Sequence, residues 1–241
     1  MTRNEALTVA KPILFNTDMV EAILDGRKTV TRRVIKPRSK NAYGFFVTHR
    51  ASDGAFAGVY DYDEDENAFD NPQKEPYKVG DVLYVRETWR HAFLMDDNDQ
   101  IIEGTGRYWY AADNDAPFTY WVNEDGSHRD TMPWKPSIHM PKEAARIFLR
   151  VTDVRIERLQ DITVNQSAKE GCVSPCCMCR NKKDGKCVGD NILLRDCPID
   201  KIYSPFIGIW NSTVKKSDLE LYGWEANPWV RVVEFEKIEM T

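Results

Sequence analysis

Short β-branched and aromatic runs separated by turn residues make up most of the chain, and this pattern limits its fold more than any other. Residues 82–87 alternate Val82, Tyr84 and Arg86 against Leu83, Val85 and Glu87, the period-two signature of a strand. Residues 144–156 alternate Ile147, Leu149 and Val151 with Phe148 and Arg150, which predicts a buried strand. Residues 28–35 read as a turn leading into a strand, and 229–238 as a closing strand. Helical signals are brief. Thr17 suits an N-cap, Asp18 suits the positive helix end, and Val20, Ile23 and Leu24 form one apolar face that Gly26 ends. Residues 163–171 and 205–212 are the other two short helices, while 136–141 reads as extended punctuation between prolines. Many strands with few short helices predict an α+β fold, a small β-barrel with short helices at its ends.

Two polar stretches interrupt that pattern. Residues 39–76 are acidic and turn-rich and read as an insertion. Residues 92–130 mix Asp, Asn and Gly with Trp109, Tyr110, Phe118, Tyr120 and Trp121, which predicts one or two hairpins because the aromatics need somewhere to pack. The expectation is one domain over 1–241 that carries these insertions. No stretch approaches the roughly 20 apolar residues of a membrane span. Residues 1–12 lack the apolar core of a secretory signal, so a cytoplasmic location is expected.

The formal net charge is −5, which argues against a surface coated for polyanions. Charge is nevertheless unevenly placed. Residues 26–52 contain no acid but hold Arg27, Lys28, Arg32, Arg33, Lys36, Arg38, Lys40 and Arg50. Such a patch steers a phosphate-bearing ligand to one spot; the plainer reading is a solvated basic loop answered by the acids that follow it. All six cysteines fall between Cys172 and Cys197. Cys176-x-x-Cys179 has the spacing of two thiolates on one tetrahedral zinc, and Cys187 and Cys197 complete a four-sulfur structural site. Lys182 to Lys186 would form its tip, and Cys172 or Cys177 is an alternative ligand. A site filled by four thiolates has no open position for water, so catalysis by this zinc is not expected.

Gly26-x-Lys28 followed by Arg33 resembles the first signature of the ASCH domain family, relatives of the PUA RNA-binding fold. The Gly80-Asp81 turn into 82–89 is similar to its second, and 156–171, ending Ala168-Lys169-Glu170-Gly171, to its third. Residues 224–235 resemble the closing strand of the family's phage and prophage branch. These four segments stand in the family's order and cover about half the chain. The resemblance implies a PUA-like barrel, a bacterial host cell if the chain is phage- or prophage-encoded, and a partner that is RNA, a nucleotide or a modified nucleoside.

Some small bacterial members of that family are amidohydrolases that deacetylate N4-acetylcytidine with a Lys-x-x-Thr pair and a Glu. The resemblance places these roles on Lys28, Thr31 and Glu170. The residue types suit amide hydrolysis. A lysine crowded by other cations is neutral more readily and can deprotonate a threonine hydroxyl, while a carboxyl carries the proton to the leaving amine. Residues three apart on a straight strand face opposite ways, so Lys28 and Thr31 meet only if Lys28 lies in the turn before the strand. Gly26, Arg27, Arg32, Arg33, Glu87, Trp89 and His139 are the expected substrate-binding residues. Each has a plainer reading: Arg33 as a brace, Glu87 paired to Arg32 or Arg86, Trp89 as core, His139 as a structural hydrogen-bonder, and Glu170 as a helix-end ion-pair partner. The competing functions are a binding module that holds RNA or a nucleotide without chemistry, a ribonuclease, and a phage accessory protein.

Overall fold

The computed structural model describes residues 1–94, 96, 98, 100–113, 121–122, 128–129, 133–172, 182–183, 186–187, 193–196 and 205–240. Helices α1 (Arg3–Val9), α2 (Thr17–Leu24), α3 (Val164–Lys169), α4 (Pro205–Thr213) and α5 (Leu219–Tyr222) are short. Strands are more numerous: β1 (Lys11–Leu14), β2 (Val30–Val34), β3 (Gly44–His49), β4 (Phe56–Tyr62), β5 (Val82–Arg86), β6 (Trp89–Ala92), β7 (Arg107–Tyr110), β8 (Trp121–Val122), β9 (His128–Arg129), β10 (Phe148–Arg158), β11 (Lys182–Lys183), β12 (Lys186–Cys187) and β13 (Trp229–Lys237). The chain is therefore α+β, mostly strand with few short helices. The hydrogen-bonded order β1-β5-β10-β13-β2 has two ends, so among the described residues the sheet is open and no closed barrel is present. No helix among them is long and apolar enough to cross a membrane.

The chain divides into two compact units. The first comprises Met1–Lys28, Gly80–Arg150 and Glu236–Thr241. In it β1 runs parallel to β5, with Ile13 opposite Val85, and β5 is antiparallel to the start of β10, with Leu83 opposite Leu149. Its core gathers Ala6, Ala10, Val82, Tyr84, Trp89, Met140, Ala144, Ala145 and Phe148. Arg3 fastens α1 by donating to the Ala145 carbonyl. The hairpin β6–β7 pairs Trp89 with Tyr110 and His91 with Tyr108, and these four residues share one face. Of the aromatics of the second insertion, Tyr108 and Tyr110 pack on the core, while Phe118, Tyr120 and the side chain of Trp121 lie outside the described residues.

The second unit comprises Thr29–Val79 and Val151–Phe235. Here β13 is antiparallel to β2, with Val232 opposite Arg32 and Val233 opposite Thr31. Its core contains Val30, Leu159, Ile162, Cys172, Leu194, Phe206, Trp210, Trp224, Val230 and Val232. Burying a large apolar side chain of this kind contributes roughly 1.5–3 kcal/mol. The stretch read as a polar insertion contains the β3–β4 hairpin, in which Phe46 stacks against Tyr60 and Tyr62.

Several boundaries differ from those expected. Asn16, not Thr17, caps α2 and accepts from the Met19 amide at 2.9 Å. Residues 137–139 form a 3-10 turn instead of extended chain. A second turn at Lys142–Ala144 delays β10 to Phe148.

Candidate functional site

The basic turn begins where α2 stops. Gly26 takes a left-handed φ of +73°, open to glycine at little cost, and its amide donates to the Ile23 carbonyl. The chain then doubles back until the Lys28 amide donates to the Ala22 carbonyl at 2.9 Å. Lys28 thus lies in the turn before β2, the placement its expected role needs. Its side chain is 2% exposed, with Nζ 5.6 Å from the centre of the Phe15 ring. Arg27, by contrast, is exposed and paired to Asp25 at 2.8 Å.

In the second unit, β2 is anchored at its start: the Thr29 amide donates to the Lys169 carbonyl, and the Phe235 amide to the Thr29 carbonyl. Thr31 is 3% exposed and Arg32 5% exposed. Arg32 donates to Glu170 at 3.0 Å from one nitrogen and to Glu157 at 2.7 and 3.1 Å from the other two. Glu157 continues the network, since Arg155 reaches Glu157, Asp153 and Glu234. Asp153, Arg155 and Glu157 alternate along β10 and so lie on one face. Two arginines and four carboxylates are joined in this ladder. Arg155 is held well above its ordinary pKa: burial lowers it, but Glu234, Asp153 and Glu157 outweigh that.

This arrangement changes the reading of the triad. Adjacent strand residues face opposite ways, so Thr31 points to the face away from Arg32. Glu170 is engaged on the Arg32 side as an acceptor. On the Thr31 side, Arg231 is 4% exposed and donates to Glu75 and Gln73. Arg33 reaches solvent, yet desolvation by surrounding protein lowers its pKa, with Tyr77 and Glu170 opposing. Arg27 and Arg32, expected to crowd Lys28 with positive charge, both carry carboxylate partners of their own.

In the first unit, Glu87 is 1% exposed and gripped by Arg146 through two bonds of 2.9 Å. The expected partners Arg32 and Arg86 are not those that grip it; Arg86 reaches the Ile138 carbonyl instead. Arg146 also binds Asp113 at 2.6 Å and lies 3.9 Å from the Tyr110 ring centre. Burial pushes the Glu87 carboxyl above its ordinary value, and Arg146 only partly offsets this. Burial likewise raises Tyr110 to about 12. Trp89 is 6% exposed in the core, flanked by Tyr108 and Lys135, so its ring faces are already covered. His139 is exposed on its 3-10 turn.

Glu157, Arg155, Arg146 and Asp113 were missed by sequence reasoning. Arg146 lies far along the chain from Asp113 and Glu87, and Glu157 from Arg32, while Arg155 has near partners in Asp153 and Glu157, an i, i+2 alternation of charge that was the one local hint of a ladder. Of the proposed zinc ligands, Cys176, Cys179 and Cys197 lie outside the described residues, as does the side chain of Cys187. The backbone of Cys187 pairs antiparallel with Lys182, so a short hairpin brackets the expected tip. Cys172, an alternative ligand, packs in the apolar core. Among the described residues no group of three metal-ligating side chains occurs. Compared with protein-family models, curated proteins and solved structures, the chain matches none.

Proposed function

We propose that the chain is an ASCH-type, PUA-like protein whose segment 26–33 handles a modified nucleoside, with Lys28 and Thr31 as its reactive pair. The observation that carries this reading is selective burial. Gly26, Arg27 and Arg33 are exposed, while Lys28, Thr31 and Arg32 are 2–5% exposed. A solvated basic loop leaves its lysine in water, and lysines are almost never fully buried without a partner or a task. The resemblance of Gly26-x-Lys28 to the family signature supports the same position. In this reading Lys28 takes the Thr31 hydroxyl proton, the oxygen attacks the amide carbonyl, an acid protonates the leaving amine, and water then cleaves the Thr31 ester to release the carboxylic acid and restore the hydroxyl.

The Arg32–Glu170 contact favours a second reading. A carboxylate gripped at 3.0 Å by a buried guanidinium is a poor proton donor, so the site would bind without cutting. Acetate release from N4-acetylcytidine and a panel of acylated nucleosides separates the two. Hydrolysis predicts turnover by the wild type, none by Lys28→Ala or Thr31→Val, and retained nucleoside binding by Thr31→Val. A wild type inert on the whole panel overturns the hydrolase reading and leaves the binding one, for which nucleoside affinity lost in Lys28→Ala is the test. A structural zinc on Cys176, Cys179, Cys187 and Cys197 belongs to the same proposal, and the short hairpin ending at Cys187 supports it.

A further inference from the structure

The outer face of the β6–β7 hairpin alternates guanidinium groups with indole rings. Arg90 pairs across the strands with Trp109, and Ala92 with Arg107, so these four residues point away from the core-facing Trp89, His91, Tyr108 and Tyr110. Arg107 lies over the Trp109 ring at 3.6 Å, a stacking distance, with its outward side exposed. Residue 135 extends the hairpin by a reciprocal pair of backbone bonds with Trp89, which brings in Trp134 beside it. Trp134 is 39% exposed and is backed by the Arg90 guanidinium at 4.6 Å, while Arg90 itself is 4% exposed. Two flat surfaces therefore face solvent, the Arg107 plane backed by Trp109 and the Trp134 ring backed by Arg90.

Charge on this face is also handled unusually. Arg27, Arg32, Arg146, Arg155 and Arg231 all sit against carboxylates. Among the described residues, Arg107 rests on an aromatic ring and has no ion pair. Its positive charge is left for a ligand.

We propose that this face binds single-stranded nucleic acid, with unpaired bases stacking on Trp134 and on the Arg107 plane and a phosphate meeting Arg107. Bases stack readily on aromatic rings and on arginine planes, and every base offers a π-face, so the surface tolerates varied sequence. A duplex buries those faces and is excluded from stacking. The surface is independent of Lys28 and Thr31.

Fluorescence anisotropy of labelled mixed-sequence 12-mers, single-stranded RNA and DNA against their duplexes, tests this with the full chain. Single strands should bind more tightly than duplex and weaken steeply with salt. Trp134→Ala should weaken binding about tenfold. Arg107→Lys, which keeps the charge at an exposed position and removes the plane, should weaken it severalfold with an unchanged thermal melt. Lys28→Ala should leave binding as it is, and Trp134→Ala should leave nucleoside handling as it is. No single-strand binding at low salt, equal affinity for duplex, or wild-type affinity in both hairpin variants would overturn the proposal. Loss of oligonucleotide binding in Lys28→Ala would move the site to the basic turn and overturn it equally.

Discussion

Asp61 is 3% exposed and accepts from the Arg38 and Ser39 amides at 2.9 and 2.8 Å and from Gln73 at 2.5 Å. Burial alone raises its pKa, but Gln73 and the two amides outweigh this and hold it below 3.8. A carboxyl depressed in the folded state stabilises fully above its unfolded pKa and loses that contribution as pH falls through the lower, folded one. The wild type should therefore lose stability below pH 3.8, and Asp61→Asn should flatten that stretch of the curve in urea melts run at stepped pH. At neutral pH the same substitution turns an amide donor toward existing donors and should cost about 2 kcal/mol. Arg32 permits a sharper test. Its side chain is fully buried between Glu157 and Glu170, so Arg32→Ala withdraws the guanidinium from both carboxylates and should cost about 3–5 kcal/mol. Arg32→Met, losing the charge but keeping the packing, should cost less than alanine. Equal melts for both would show that the cost lies in the lost pairing and not in packing volume.

α3 is six residues long, too short to persist without help, and its help is local. Thr163 accepts from the Gln166 amide while the Gln166 side chain accepts from the Thr163 amide, a complete capping box. The far end of α3 matters more, since Lys169 fastens Thr29 and Glu170 holds Arg32. Thr163→Ala should cost about 1 kcal/mol in chemical denaturation, and Thr163→Ser should restore most of it. If the proposed hydrolase is active, the alanine variant should also slow turnover, because it loosens the anchor of β2. Elements of this kind were legible beforehand because their causes lie within a few residues: the Gly26 stop, the short helix at 163–171, the alternation at 82–87 and the closing strand at 229–238. The β3–β4 hairpin was not. Its face carries Gly44 and Gly58, whose missing side chains admit the Tyr62 and Tyr60 rings, so the hydrophobic alternation fails at those positions. The 3-10 turn at 137–139 was hidden by flanking prolines that suit extended chain equally well.

Partner choice over long separations was the least legible feature. Glu87 meets Arg146, Arg32 meets Glu157, and Arg231 meets Glu75, and nothing local distinguishes these from other carboxylate–arginine pairs in a chain of this charge. The basic run of residues 26–52 shows the consequence: Arg27, Arg32, Lys36 and Arg50 are each paired to an acid, so half of the apparent polyanion patch is engaged in ion pairs. The cysteine segment poses the opposite problem, with a strong local signal and a role that only the whole chain defines. Both of its ends are fixed: Cys172 and Leu194 lie in the same apolar core, and the Leu194 amide donates to the Ile162 carbonyl at 2.8 Å. The sequence between them is dominated by charged, polar and cysteine residues and offers little apolar surface to bury. A segment of that composition, with both ends anchored, gains order most readily from a metal that ties it across its middle. Protein prepared under reducing conditions should hold one zinc per chain by elemental analysis. Cys179→Ser and Cys187→Ser should each lose it, and chelation should lower the melting temperature of the wild type but not of these variants, since binding energy at a structural zinc is folding energy. Clearly substoichiometric metal, or a chelator shift equal in the variants, would leave the cysteines as reduced thiols and remove zinc from the account of this fold.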